Sequence, residues 1–147
     1  MAKLTRSVTI NAPVDKVFDF ALDVGDLWTT APDVAVRDVL LKADGVGSSA
    51  RIYSHWLGIH MEGAVEYVEV IRNQRIQAVV TFGPEKPTWT FSFQPEDGAT
   101  KFTIEGEWHF DVPGVGAPLE GLAVKEHEDM VNLMLANTKA AVEAAVA

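Results

Sequence analysis

Three candidate turns between residues 49 and 108 sort their flanking residues in the same way, and that agreement constrains the fold more than any other feature of the chain. If Leu57-Gly58 is a two-residue turn, Trp56 faces Ile59, Ser54 faces Met61 and Ile52 faces Gly63. If Asn73-Gln74 is the next, Tyr67 faces Val80 and Val65 faces Phe82, with Glu69 on the same side near the turn. Asp97-Gly98, the strongest hairpin signal, opposes Phe93 to Phe102, Phe91 to Ile104 and Trp89 to Gly106. Each register gathers apolar side chains on one side and leaves residues such as Thr90, Ser92, Lys101, Thr103 and Glu105 on the other. The expectation is an antiparallel meander with one wet face.

The flanks complete the pattern. Residues 4–10 alternate as a half-buried strand, and Asn11 or Ala12 precedes a proline placed to open a helix. Val14, Val17, Phe18, Ala21 and Leu22 then recur at helical spacing up to an interruption at Gly25. Asp26-Leu27-Trp28 reads as a second short helix before Pro32, and residues 34–41 as a strand ending at the Asp44-Gly47 turn. After the meander, residues 119–146 form the only long helical pattern, roughly 40 Å at 1.5 Å per residue. Its apolar face is read as Leu119, Leu122, Ala123, Met130, Leu133, Met134, Ala141 and Ala144, with Glu126 and Asn137 set within it. One helix does not fill the concave side of a large sheet, so space for a ligand is expected between them.

The chain has 147 residues, enough for one domain spanning 1–147 with a substantial core. Its net charge of −9 argues against a nucleic-acid partner, which needs clustered Lys and Arg. With no cysteine, thiol chemistry, thiolate metal sites and disulfides are excluded, which suits a reducing cytoplasm. No stretch approaches the roughly 20 apolar residues of a membrane span, so no membrane insertion is expected. Cytoplasmic localisation is the expectation; the oligomeric state stays open.

Particular segments carry a resemblance to a known family. Ile10-Asn11-Ala12-Pro13-Val14-Asp15-Lys16-Val17-Phe18 resembles the opening of the START-like (SRPBCC) superfamily, in which a strand runs through Ala-Pro into an amphipathic helix. Trp28 resembles the tryptophan of that family's second helix, and Gly45-Val46-Gly47-Ser48 its glycine turn. Residues 135–143 resemble its helix ending, with Thr138 where a leucine is usual. The resemblance spans the chain and is closest to the bacterial polyketide cyclase/dehydrase and lipid-transport branch. It implies an α+β helix-grip fold like that of birch-pollen-allergen-type carriers: about seven strands in β-α-α-β6-α order, curved around a long C-terminal helix. It implies a cavity for a small hydrophobic molecule, and no particular reaction.

Within such a cavity the expected lining includes Trp28, Ser54, Trp56, Met61 and Tyr67. Phe82, Trp89, Phe91 and Trp108 continue it from the later strands, and Glu126, Met130 and Asn137 from the helix. Glu126 is either a buried general acid or base, or a ligand hydrogen-bonding group, or a carboxylate in water beyond the sheet edge. Asn137 either reaches the cavity or satisfies a backbone carbonyl. Tyr67 either orients a ligand carbonyl or finds a backbone partner. His127, on the helix flank, is a third candidate for proton transfer. His55 and His60 oppose each other on the wet face with no third ligand at metal-binding spacing, so neither a metal nor a cofactor is expected. Three functions fit: binding a small aromatic, polyketide-like or lipid ligand; a cyclase or dehydratase using Glu126, Tyr67 or His127; or a protein-interaction module with a filled core.

Overall fold

The computed structural model describes residues 2–56, 58–81, 86–108 and 116–147. Strand β1 (Ala2–Ile10) leads through Pro13 into α1 (Val14–Leu22) and α2 (Val24–Thr29). The strands β2 (Ala35–Leu40), β3 (Ser49–Trp56), β4 (Ile59–Ile71), β5 (Arg75–Thr81), β6 (Thr88–Glu96) and β7 (Ala99–Trp108) follow, and α3 (Gly116–Val146) ends the chain. All seven strands form one antiparallel sheet in the order β1-β7-β6-β5-β4-β3-β2. β1 starts earlier than alternation suggested because Ala2 pairs with Trp108 and Leu4 with Gly106. The break between the short helices falls at Asp23 rather than Gly25. Its carboxylate caps α2, accepting from the Gly25 and Asp26 N–H groups at 2.9 and 3.1 Å. At α1 it is Pro13 itself that occupies the capping position.

Two of the three hairpin registers hold. Trp56 opposes Ile59 and Ser54 opposes Met61, while Phe93 opposes Phe102 and Trp89 opposes Gly106. Asp97 and Gly98 both take positive φ, 49° and 86°, as the two-residue turn requires. The middle register is corrected. Ile71 pairs with Arg75, so three residues, Arg72-Asn73-Gln74, make the connection, with Asn73 at φ 59°. A one-residue slip would turn every following side chain to the other face. A bulge between Tyr67 and Glu69 compensates. Tyr67 therefore opposes Ala78, Val65 opposes Val80, and both stay in the core. The same bulge carries Glu69 to the outer side, opposite Gln77, where it pairs with Arg75 at 2.6 Å.

The expected face of α3 is also corrected. Val131, Met134, Leu135, Thr138 and Val142 are the buried residues of its C-terminal half, whereas Leu133 is 46% exposed and Glu126, Ala141 and Ala144 face solvent. At 100° per residue the true face is turned by roughly a third of a turn. The helix is fixed by polar ties to the elements beside it. Glu143 Oε2 accepts from the Asn11 N–H at 2.8 Å and from Lys139 Nζ at 2.6 Å; Lys139 also donates to the Thr9 carbonyl at 2.9 Å. Asn137 Nδ2 donates to the Thr30 carbonyl at 2.9 Å, joining α3 to the end of α2. These bonds, with burial of the valine-rich stripe, decide the rotation; the leucine and alanine pattern does not.

Candidate functional site

The inner wall is built where β6 and β7 pass under α2 and α3. Alternation along β6 directs Trp89, Phe91 and Phe93 inward, and along β7 Phe102, Ile104, Gly106 and Trp108. Gly106 sits directly opposite Trp89. A Cβ there would come within 2.9 Å of both the Trp89 and the Trp108 ring. Its absence lets the two indoles meet edge-to-face, 5.3 Å between centroids and 84° between planes. From α2, Trp28 stands perpendicular to Trp89 and to Phe91, 6.0 Å from each. From α3, the His127 ring lies 4.9 Å from Trp108 and 6.1 Å from Trp89. Phe91, Trp28, Trp89, Trp108 and His127 thus form one continuous row of rings contributed by four elements.

The polar groups near this wall divide sharply. Tyr67 is fully buried, and its hydroxyl donates to the Ala21 carbonyl at 2.7 Å. Burial, and secondarily the negative charge of Asp23, pushes its phenol well above 10.0. It is therefore a structural donor that holds α1 to the sheet. Glu126 lies exposed on α3. Asn137 spends its amide on Thr30. His127 is half-buried and is the one of the three proton-transfer candidates that touches the aromatic wall. Met130 is half-buried against the core, and Ser54 and Met61 sit opposite each other, half-buried, on β3 and β4. Phe82 and the side chain of Trp56 lie outside the described residues. Two buried polar atoms lack any hydrogen-bond partner among the described residues on this side: Trp28 Nε1 and Thr138 Oγ1.

On the outer face, His55 and His60 oppose each other with ring centroids 5.4 Å apart; both are exposed, and His60 also stacks on Tyr53. Among the described residues no group of three or more His, Cys, Asp or Glu is placed to hold a metal.

Sequence reasoning located the aromatic residues of β6 and β7 but missed the inward stripe of α3. A signal for it exists: Val124, Val131 and Thr138 recur every seven residues, with Met134, Leu135 and Val142 beside them.

The sheet and the helix across it are shared with known proteins. The family model described as polyketide cyclase / dehydrase and lipid transport matches residues 1–143. The chain belongs to this family. No curated protein matches its sequence. Among solved structures, a Thermus thermophilus protein is similar at TM-score 0.80 and 20% identity, covering 99% of each chain. The Zhui aromatase/cyclase of Streptomyces sp. R1128 is similar at TM-score 0.80 and 14% identity, covering 99% of this chain and 95% of that one. A START superfamily protein of Mycobacterium smegmatis is similar at TM-score 0.73 and 14% identity, covering 95% and 99%. At these identities the likeness shows the fold, which is the helix-grip fold of START-like proteins. Among the described residues no helix is long and apolar enough to cross a membrane.

Proposed function

We propose that the protein binds a small, ring-bearing hydrophobic molecule between α3 and the inner wall of the sheet. The observation that carries this reading is the row Phe91–Trp28–Trp89–Trp108–His127. Apolar walls with a few directed polar groups are what small-molecule sites are made of, and flat rings stack edge-to-face or offset against indoles. Gly106 supports the same reading, since it keeps a side chain from separating Trp89 and Trp108. The family description, which names both polyketide chemistry and lipid transport, is compatible with such a ligand.

A panel of naphthalenes, flavonoids and fatty acids tested by thermal shift decides it. A ligand at 100 times its Kd stabilises the native state by about 2.7 kcal/mol, a rise of roughly 5–10 °C for a chain of this size. Saturable rises with the ring compounds support the reading. A flat response across the panel would overturn it.

One observation favours an enzymatic reading beside it. The His127 imidazole lies against Trp108 at the aromatic wall, so a carbonyl compound stacked there meets a side chain of the type used for general acid–base catalysis. Under this cyclase or dehydratase reading, His127→Gln abolishes turnover of a bound poly-β-keto substrate and leaves its Kd within a fewfold. Turnover retained in His127→Gln removes the enzymatic reading and leaves the binding one.

A further inference from the structure

We infer that Trp28 Nε1 and Thr138 Oγ1 form a carbonyl-docking point inside the protein, so that the ligand is an aromatic ketone or quinone rather than a hydrocarbon or a simple alkyl chain. The inference rests on the binding reading above and specifies its chemistry. Trp28 is 2% exposed and Thr138 is 0% exposed, yet neither the indole N–H nor the hydroxyl has a hydrogen-bond partner among the described residues. Buried polar groups are nearly always paired, because an unpaired one forfeits its hydration without return. Such orphans occur where something else completes them.

The two groups stand on neighbouring elements. The Asn137–Thr30 bond ties α3 to the end of α2, and Thr138 is the next residue after Asn137, while Trp28 is two residues before Thr30. A helical threonine hydroxyl ordinarily returns to the carbonyl one turn back. That of Thr138 makes no such bond and stays available to a ligand. The rings of Trp89 and Phe91 stand perpendicular to Trp28, but an aromatic face accepts an N–H only weakly. It does not replace an oxygen.

The indole is a donor only and the threonine hydroxyl donates as well as accepts; a carbonyl oxygen, with two lone pairs, takes both donors at once. The indole also belongs to the aromatic row, so a ring held against Trp89 brings a carbonyl substituent toward it. An alkyl chain in the same place leaves both donors buried and unmade. A site built to hydrogen-bond an oxygen rejects the analogue that lacks it for that reason.

The test uses two probes of matched shape, 2-acetylnaphthalene and 2-ethylnaphthalene, with Kd values measured by equilibrium dialysis on the full chain. The wild type is expected to bind the ketone about tenfold more tightly, the worth of two neutral hydrogen bonds. Thr138→Val, which keeps the side-chain shape, and Trp28→Phe should each cut that preference to threefold or less, and Thr138→Ser should keep it. Melting curves confirm that each variant is folded. Equal binding of the two probes to the wild type would overturn the inference and leave the binding reading intact. A preference that survives both Thr138→Val and Trp28→Phe would place the oxygen elsewhere and also overturn it. No binding of either probe contradicts the binding reading itself, and the inference with it.

Discussion

Trp89 and Trp108 meet edge-to-face at 5.3 Å because the residue opposite Trp89 on the neighbouring strand is Gly106. The pair depends on a missing methyl group. Gly106→Ala places a Cβ within 2.9 Å of both rings, and two buried indoles have little room to yield. We expect a loss of about 1–3 kcal/mol in urea unfolding, with a change in near-ultraviolet circular dichroism as the two rings part. An unchanged spectrum and midpoint would mean that the rings reorient freely.

Thr138→Val should raise stability. It replaces a buried, unpaired hydroxyl with a methyl group of the same shape, removing a penalty of about 1 kcal/mol or more. For a chain of this size that is an increase of roughly 2–4 °C in Tm. With the loss of ketone preference expected above, the same substitution would gain stability and lose selectivity, as a group kept for binding should. A fall in Tm would mean that the hydroxyl has a partner.

Tyr67→Phe leaves the Ala21 carbonyl buried without its donor and should cost about 1–2 kcal/mol. It should also change the alkaline limb. The folded-state phenol titrates well above 10.0. Because this pKa is raised, the folded state holds its proton where the unfolded state releases it. The contribution is fully present below about pH 10 and is lost as pH rises beyond it. Wild-type stability therefore falls more steeply above pH 10 than that of Tyr67→Phe. Parallel curves in the two proteins would contradict the assignment.

Glu143 acts at the opposite limb. The Asn11 N–H and the Lys139 ammonium hold its carboxyl below the ordinary value of 4.5. A depressed pKa gives stability that is present above that value and lost as pH falls through the folded one. Glu143→Gln should be less stable than wild type near pH 6 and converge with it in strong acid. Amide exchange of the Asn11 N–H should accelerate in the variant at pH 6, and an unchanged rate would show that the bond does not anchor α3.

Legibility from sequence differed by element for physical reasons. The β6–β7 register was readable because Asp97-Gly98 specifies a two-residue turn locally, and the inward positions of Trp89, Phe91 and Trp108 follow from it. The β4–β5 register was not, since a three-residue connection and a bulge at Val68 offset each other and leave the alternation of core residues nearly undisturbed. Glu69 changed sides as a result. The face of α3 was misread because its apolar residues are spread around the helix, with Leu133 and several alanines outside the core. Tertiary ties from Asn137, Lys139 and Glu143 select the orientation. The unpaired atoms of Trp28 and Thr138 depend on where every possible partner lies, which no pattern in the chain records.

The most direct test of ligand binding at the aromatic wall is a ¹H–¹⁵N correlation spectrum titrated with 2-acetylnaphthalene, read at the tryptophan indole signals. The chain has only four tryptophans, so each indole N–H can be assigned by substitution. Ring currents of a stacked ligand should move the Trp28, Trp89 and Trp108 signals together, saturably and with one Kd, with Trp28 shifted furthest downfield by a new hydrogen bond. Saturation that moves none of these three, or shifts confined to the exposed apolar residues Val39, Leu40 and Leu41 on and just beyond β2, would contradict a ligand site between the sheet and α3.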